Sequence, residues 1–145
     1  MPDKYRIFLS IEMKNPNKKY FIILLVILLS VISQNCDDEL TSNEINNIVM
    51  PDSNVSYRQH IAPVFEVKCV PCHNDQRSEG GVNLSSHTQI IRDPRIVFPG
   101  SDSTSVLVWT IERIPPYLPM PPSEWLQRNH IGGIRTWIRE GAQNN

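Results

Sequence analysis

A pair of cysteines three positions apart, Cys69 and Cys72, is followed directly by His73, and this motif constrains the chain more than any other feature. The 145 residues contain one further cysteine, Cys36. Two thiols and an imidazole within five positions are typical of a metal site, a redox pair, a disulfide or a covalently attached group. What the chain folds around depends on which of these the motif serves.

Three of these interpretations lack a necessary part. A zinc site would need a second pair of ligands, and the remaining histidines are single and scattered (His60, His87, His130). A thioredoxin-type pair would need a strand before the motif, whereas a helical pattern runs into it. A disulfide between the two cysteines would close too small a loop to stabilise much. Covalent haem attachment uses all three side chains, because the thiols reach two vinyl-derived carbons and the histidine binds the iron.

The N-terminal residues 1–35 predict a signal sequence, whose true start is either Met1 or Met13. The first 19 residues are basic, and the apolar run "YFIILLVILLSVI" that follows is too short to span a hydrocarbon layer of roughly 30 Å comfortably. A short permanent membrane anchor is the alternative. Cys36 resembles the lipidated cysteine that ends a bacterial lipoprotein signal. We therefore expect a protein on the periplasmic side of the cell envelope, lipid-anchored or secreted.

From Cys36 onwards the chain is mildly acidic, with nine Lys plus Arg against thirteen Asp plus Glu, or 9 − 13 = −4. No basic stripe with interleaved aromatics occurs, so nucleic acid is not an expected partner. The expected partners are redox proteins of the envelope, and the membrane through the lipid anchor.

The mature chain predicts a tether followed by one small domain. Residues 36–56 are rich in Asn, Asp and Ser and are predicted to form a flexible tether, and residues 57–145 the domain. Apolar residues at helical spacing begin after Ser56, a candidate N-cap, and a second amphipathic helix precedes Gly141. The prolines of residues 114–122 forbid a helix and favour a stiff extended loop. The domain is therefore expected to be mostly α-helical.

A haem iron bound by His73 has a sixth position, for which Met120 is the candidate ligand. Pro119 and Pro121 flank it, so its thioether is held in a rigid loop, and such a loop suits a fixed ligand better than a core-packing side chain. Rival ligands are Met50, in the predicted tether, and the three remaining histidines, whose sequence neighbours look surface-like. His87 is the strongest of these rivals.

Five segments in order make residues 57–142 similar to the planctomycete-type cytochrome c domain. They are "IAPVFEVKCVPCH", "GGVNL", "VFPGSDSTSVL", "MPP" and "IRTWIREGA". The resemblance implies a small cytochrome c-like fold, in which N- and C-terminal helices pack around a covalently bound haem c with long Pro-rich loops. It also implies Cys69 and Cys72 as attachment sites, His73 as proximal ligand and Met120 as distal ligand.

A haem with both axial positions filled stores one electron and changes little in shape, so we expect an electron carrier and not an enzyme. Phe65 and Trp137 are the aromatic residues expected closest to the porphyrin. Two alternatives stay open. A five-coordinate haem would bind small gases or peroxide, and a lipoprotein without haem would use the motif as a metal or interaction module.

Overall fold

The computed structural model describes Asn17, residues 20–26 and residues 41–145 of the chain. The chain divides into two compact units, Met1–Asp38 and Glu39–Asn145. In the first unit, residues 20–26 are helical with exposed side chains. None of the described helices combines the length and the apolar character needed to cross a bilayer. Most of the predicted signal sequence and the predicted lipidation site Cys36 lie outside the described residues, so both stay predictions.

The second unit is built from helices, and no strand occurs among residues 41–145. A π-helical turn covers Tyr57–Ile61, and 3₁₀ turns cover Glu79–Gly81 and Asp102–Thr104. The prediction of a mostly α-helical domain is therefore confirmed. Its α-helices are α1 (Ser42–Asn46), α2 (Ala62–Lys68), α3 (His87–Ile90), α4 (Val106–Ile111) and α5 (Arg128–Arg139).

The helix that leads to the cysteine motif starts as predicted but contains a wide turn. Ser56 Oγ accepts a hydrogen bond of 3.3 Å from the amide of Gln59, which caps the helix start. The Ala62 amide then donates to the carbonyl of Tyr57, five residues back, so the turn is π-helical. Pro63 has no amide hydrogen, and it falls at the second residue of α2, where none is needed.

The C-terminal helix α5 packs its apolar face against this N-terminal helix. Ile134, Trp137 and Ile138 are buried, and the Trp137 ring lies 5.6 Å from that of Tyr57 and 6.3 Å from that of Phe65. Trp137 Nε1 donates to the carbonyl of Gln143 at 2.9 Å, which ties the last residues to the core. Packing of α5 against α2 and its π-helical turn thus forms the centre of the unit.

Residues 41–56, predicted as part of a flexible tether, differ from that expectation. Thr41 caps α1 in a capping box with Glu44, and Ile45 is 0% exposed. Val55 is equally buried, and Glu140 accepts the amide of Val55 at 2.9 Å. The segment is polar on average, but its few apolar side chains enter the core. The compact unit therefore begins before Tyr57.

His130 of α5 also differs from expectation, because it is fully buried and not in surface-like surroundings. Neither of its ring nitrogens has a hydrogen-bond partner. Burial lowers the pKa of His130, since it disfavours the charged form. The backbone of Ile45 opposes this shift, although it is outside hydrogen-bond geometry. The positive charge of Lys68 lowers the pKa further. Burial therefore favours the neutral form of this imidazole.

Candidate cofactor site

The turn after α2 holds the two cysteines and the histidine of the motif. The Cys69 amide closes the helix with a hydrogen bond of 2.8 Å to the carbonyl of Phe65. The amides of Cys72 and His73 then donate to the carbonyl of Cys69 at 3.1 and 3.0 Å. Because the turn is this tight, all three side chains reach the wall of one cavity.

The cavity has a volume of about 350 Å³ and a mostly apolar wall. That volume falls in the range of cofactor sites, roughly 300–1,000 Å³. The motif turn, α2, α4, α5, the stretch after Gly80 and the loop around Met120 all contribute to the wall. Its apolar side chains include Phe65, Leu84, Leu107, Ile111, Leu126 and Ile134.

The ring of His73 is oriented by the backbone of Val82. His73 Nδ1 lies 3.3 Å from the Val82 carbonyl oxygen, which can only accept a hydrogen bond, so Nδ1 carries the proton and Nε2 is left with its lone pair. Gly80 and Gly81 have φ of 64° and 74°, a backbone conformation that favours glycine, and they turn the chain back towards His73. A histidine with one nitrogen fixed in this way is prepared to bind a metal through the other.

The two thiols are free in this structure, and their chemistry argues against a redox pair. Burial, and secondly the neighbouring Cys72, raises the pKa of Cys69 to about 12. A redox-active CxxC pair uses a lowered pKa instead. Over the part of the chain that the structure describes, no group of three or more His, Cys, Asp or Glu side chains could hold a metal ion.

Met120 lies on the wall of the same cavity. Its amide donates a hydrogen bond of 3.0 Å to the carbonyl of Thr110, near the end of α4, and this bond holds the loop against the helix. Residues 114–122 contain no helix, as their prolines predict. Two thiols, an imidazole and a thioether around one apolar cavity fit a c-type haem. The roles of these four side chains as attachment sites and ligands stay predictions.

The rival ligands do not line this cavity. Met50 lies against Gly133 of α5. His60 Nδ1 accepts the Ser56 amide at 3.0 Å, and His87 Nε2 donates to the carbonyl of Ala142 at 2.6 Å. Phe65 and Trp137 were both expected near the porphyrin. Phe65 lines the cavity, whereas Trp137 packs against Phe65 and does not line it.

Two cations near the cavity were not predicted from the sequence. Lys68 lines the wall with its side chain 6% exposed, and its Nζ lies 3.0 Å from a carboxylate oxygen of Glu124. Arg113 donates to the carbonyl of Pro121 at 3.1 Å. Both contacts cross to the loop around Met120, and no short-range pattern indicates them, because they depend on the path of an irregular loop.

Comparison with known proteins agrees with this geometry. Residues 69–124 match the model of a family described as Planctomycete cytochrome C, and the matched stretch includes both the cysteine motif and Met120. No curated protein and no solved structure gives a significant match. The match supports a planctomycete-type cytochrome c domain at residues 69–124 and, with it, a haem cofactor and haem-based electron transfer in general terms.

Proposed function

We propose that this planctomycete-type cytochrome c domain is a one-electron carrier whose haem is attached covalently through Cys69 and Cys72 and bound axially by His73 and Met120. The observation that carries the proposal is that all four side chains line one apolar cavity. Met50 and the other three histidines do not line it.

When bound, the haem iron supplies a one-electron couple between its ferric and ferrous states. The residues of the chain tune that couple. The thioether of Met120 favours the ferrous form and raises the reduction potential, and the apolar wall acts in the same direction by disfavouring net charge. The Val82 carbonyl holds the His73 ring and increases its basicity as a ligand.

An electron carrier is favoured over a gas-binding or peroxide-using enzyme by the ionisable groups of the wall. Lys68 is paired with Glu124, and Glu79 with Arg77. Lys68 and Glu79 are the two that line the wall, and each is held by its ion-pair partner. Neither is therefore an available acid or base for chemistry in the cavity. With Met120 as sixth ligand, no coordination position is open for a substrate.

We also propose that the domain is attached to the envelope by a lipid on Cys36 and exchanges electrons with envelope proteins there. The sequence supports this through its basic N-terminus, apolar run and following cysteine. The test is fractionation of cells that produce the full chain or Cys36→Ser. Detergent-dependent extraction of the native protein and its loss in the variant are expected, and equal extraction would contradict lipid attachment.

The axial ligands are tested by visible spectra of the oxidised and reduced protein, produced with haem-attachment machinery, for the native chain, Met120→Ala and Met50→Ala. A low-spin c-type spectrum is expected, with a sulfur-to-iron band that Met120→Ala abolishes and Met50→Ala retains. A band that survives in Met120→Ala would reassign the ligand. A native spectrum of a five-coordinate iron would favour the gas-binding alternative, and a colourless protein would refute the proposal.

A further inference from the structure

The loop that carries Met120 has little regular structure of its own. Residues 114–124 form turns and bends, and their backbone contact with α4 includes the bond from the Met120 amide to Thr110. Leu118 in this loop is 75% exposed although it lines the cavity. Besides the flanking prolines and this backbone bond, contacts from side chains outside the loop help to fix the position of Met120.

Arg113 makes several of the required contacts from one position. Its amide donates to the carbonyl of Thr110 at 3.2 Å, the same oxygen that accepts the Met120 amide. Its guanidinium Nη2 donates to the carbonyls of Pro121, at 3.1 Å, and Glu124. Both side-chain contacts are with residues that follow Met120, so Arg113 ties this part of the loop back to the end of α4.

The guanidinium of Arg113 also covers an aromatic ring. Its Cζ lies 4.0 Å from the centroid of the Trp125 ring, a cation–π distance. Trp125 is 72% exposed, and the residues on either side of it are held separately, since Glu124 pairs with Lys68 and Leu126 is buried. The planar guanidinium donates in a fixed fork and stacks at the same time, which a lysine cannot do.

The backbone conformation of Arg113 is set by the end of α4. Its φ of 59° lies in the left-handed region, which is uncommon for a residue with a side chain. The Ile114 amide donates to the carbonyl of Trp109 at 2.8 Å and the Arg113 amide to that of Thr110 at 3.2 Å, a Schellman motif in which the residue after the C-cap adopts this conformation. In this conformation Arg113 ends α4 and reaches the far side of the loop.

We infer that Arg113 is a positioning residue for the distal ligand: it fixes the loop so that the Met120 sulfur stays in the cavity, and it thereby sets how readily another ligand replaces that sulfur. The inference rests on the proposed function, because it assumes Met120 as ligand. Arg113 touches the loop and not the reacting atoms. Glu124, held by both Lys68 and Arg113, provides a second link from the loop to α2.

The experiment compares the haem-loaded native protein with Arg113→Ala, Arg113→Lys, Arg92→Ala and Arg135→Ala. Arg92→Ala removes one positive charge, as Arg113→Ala does. It leaves the loop contacts of Arg113 intact, because the Arg92 guanidinium donates to Gln89. Arg135→Ala removes ion pairs to Asp102 and Glu112 and controls for lost stability. The readouts are the sulfur-to-iron band, the reduction potential and the affinity of the ferric protein for added imidazole.

For Arg113→Ala we expect a weaker band, a lower potential and imidazole binding tighter by about tenfold or more, because charge-assisted hydrogen bonds to the loop are lost. Arg113→Lys should give an intermediate result, and both controls should retain the native band and imidazole affinity. If Arg113→Ala behaves like the controls while the native band is present, the inference is wrong and the carrier proposal stands. If the native protein itself lacks the band, Met120 ligation and this inference both fail.

Discussion

Gly133 of α5 lies directly against the side chain of Met50. A Cβ added at Gly133 would come within 2.6 Å of both Cγ and Sδ of Met50 and within 2.9 Å of its Cβ. The helix and the segment before Tyr57 therefore approach to a distance that only glycine permits. A glycine at this helical position is explained by packing, although it costs up to about 1 kcal/mol relative to alanine.

Alanine at the two adjacent glycines of α5 should have opposite effects. Gly133→Ala should lower the free energy of unfolding by about 1–3 kcal/mol, because Met50 must move. At Gly132 a Cβ meets nothing within 4 Å, so Gly132→Ala should raise the free energy of unfolding by about 0.5–1 kcal/mol through helix propensity. Denaturant unfolding of the haem-loaded protein measures both.

A double variant tests whether Met50 is the cause. Met50→Ala combined with Gly133→Ala should recover part of the loss, because the shorter side chain leaves room for the new methyl group. Additive losses in the double variant would show that Gly133 is constrained by something other than Met50.

Ile45 should contribute strongly to stability despite its place in a polar segment. It is fully buried, so Ile45→Ala should cost about 2–5 kcal/mol, whereas Val49→Ala should change stability by less than about 0.5 kcal/mol, because Val49 is exposed. Thermal unfolding compares the two. Similar small effects would mean that residues 41–56 are a tether in solution, as their composition suggests.

The sequence predicts helices well where apolar residues recur at regular spacing. The amphipathic helix predicted before Gly141 is α5, and its residues Ile134, Trp137 and Ile138 are buried together. Residues 41–56 could not be assigned in the same way, because composition averages over a segment, whereas burial of Ile45 depends on a partner surface distant in sequence. The burial of His130 is hidden for the same reason, since Gln127, Arg128 and Asn129 before it are polar but α5 turns it inward.

For the candidate site, the motif indicates the chemistry and the fold supplies the neighbours. Cys69, Cys72 and His73 are close in sequence, and Met120 is predicted as a ligand because prolines flank it. The structure brings all four side chains to one cavity. The contacts of His73 with the Val82 carbonyl and of Arg113 with the Pro121 carbonyl carry no sequence signal, because a backbone oxygen accepts in each. A backbone oxygen is present at every residue, so a sequence does not show which one a side chain reaches.

Arg135 connects α5 to two acidic side chains and should be more important than its neighbour Arg139. Arg135 Nε and Nη1 lie 2.7 Å from oxygens of Asp102 and Glu112, and Asp102 is buried. Arg135→Ala should cost about 1–3 kcal/mol, because it leaves a buried carboxylate without its main partner. Arg139, 4.0 Å from Asp102 and more exposed, should cost less than about 0.5 kcal/mol in Arg139→Ala. Equal losses in urea unfolding would contradict this assignment.

The buried His130 should make the domain lose stability as the pH falls. Burial lowers its pKa in the folded state below the value of about 6.5 expected in the unfolded chain. The unfolded chain therefore binds a proton first, so this contribution is complete above about pH 6.5, declines as the pH falls below that value and becomes constant below the folded pKa. His130→Leu removes the titrating group and two unpartnered ring nitrogens, so the free energy of unfolding should depend less on pH below about 6.5. Unfolding in urea at a series of pH values measures the slope for each haem-loaded protein. An unchanged slope in His130→Leu would mean that other groups cause the acid sensitivity.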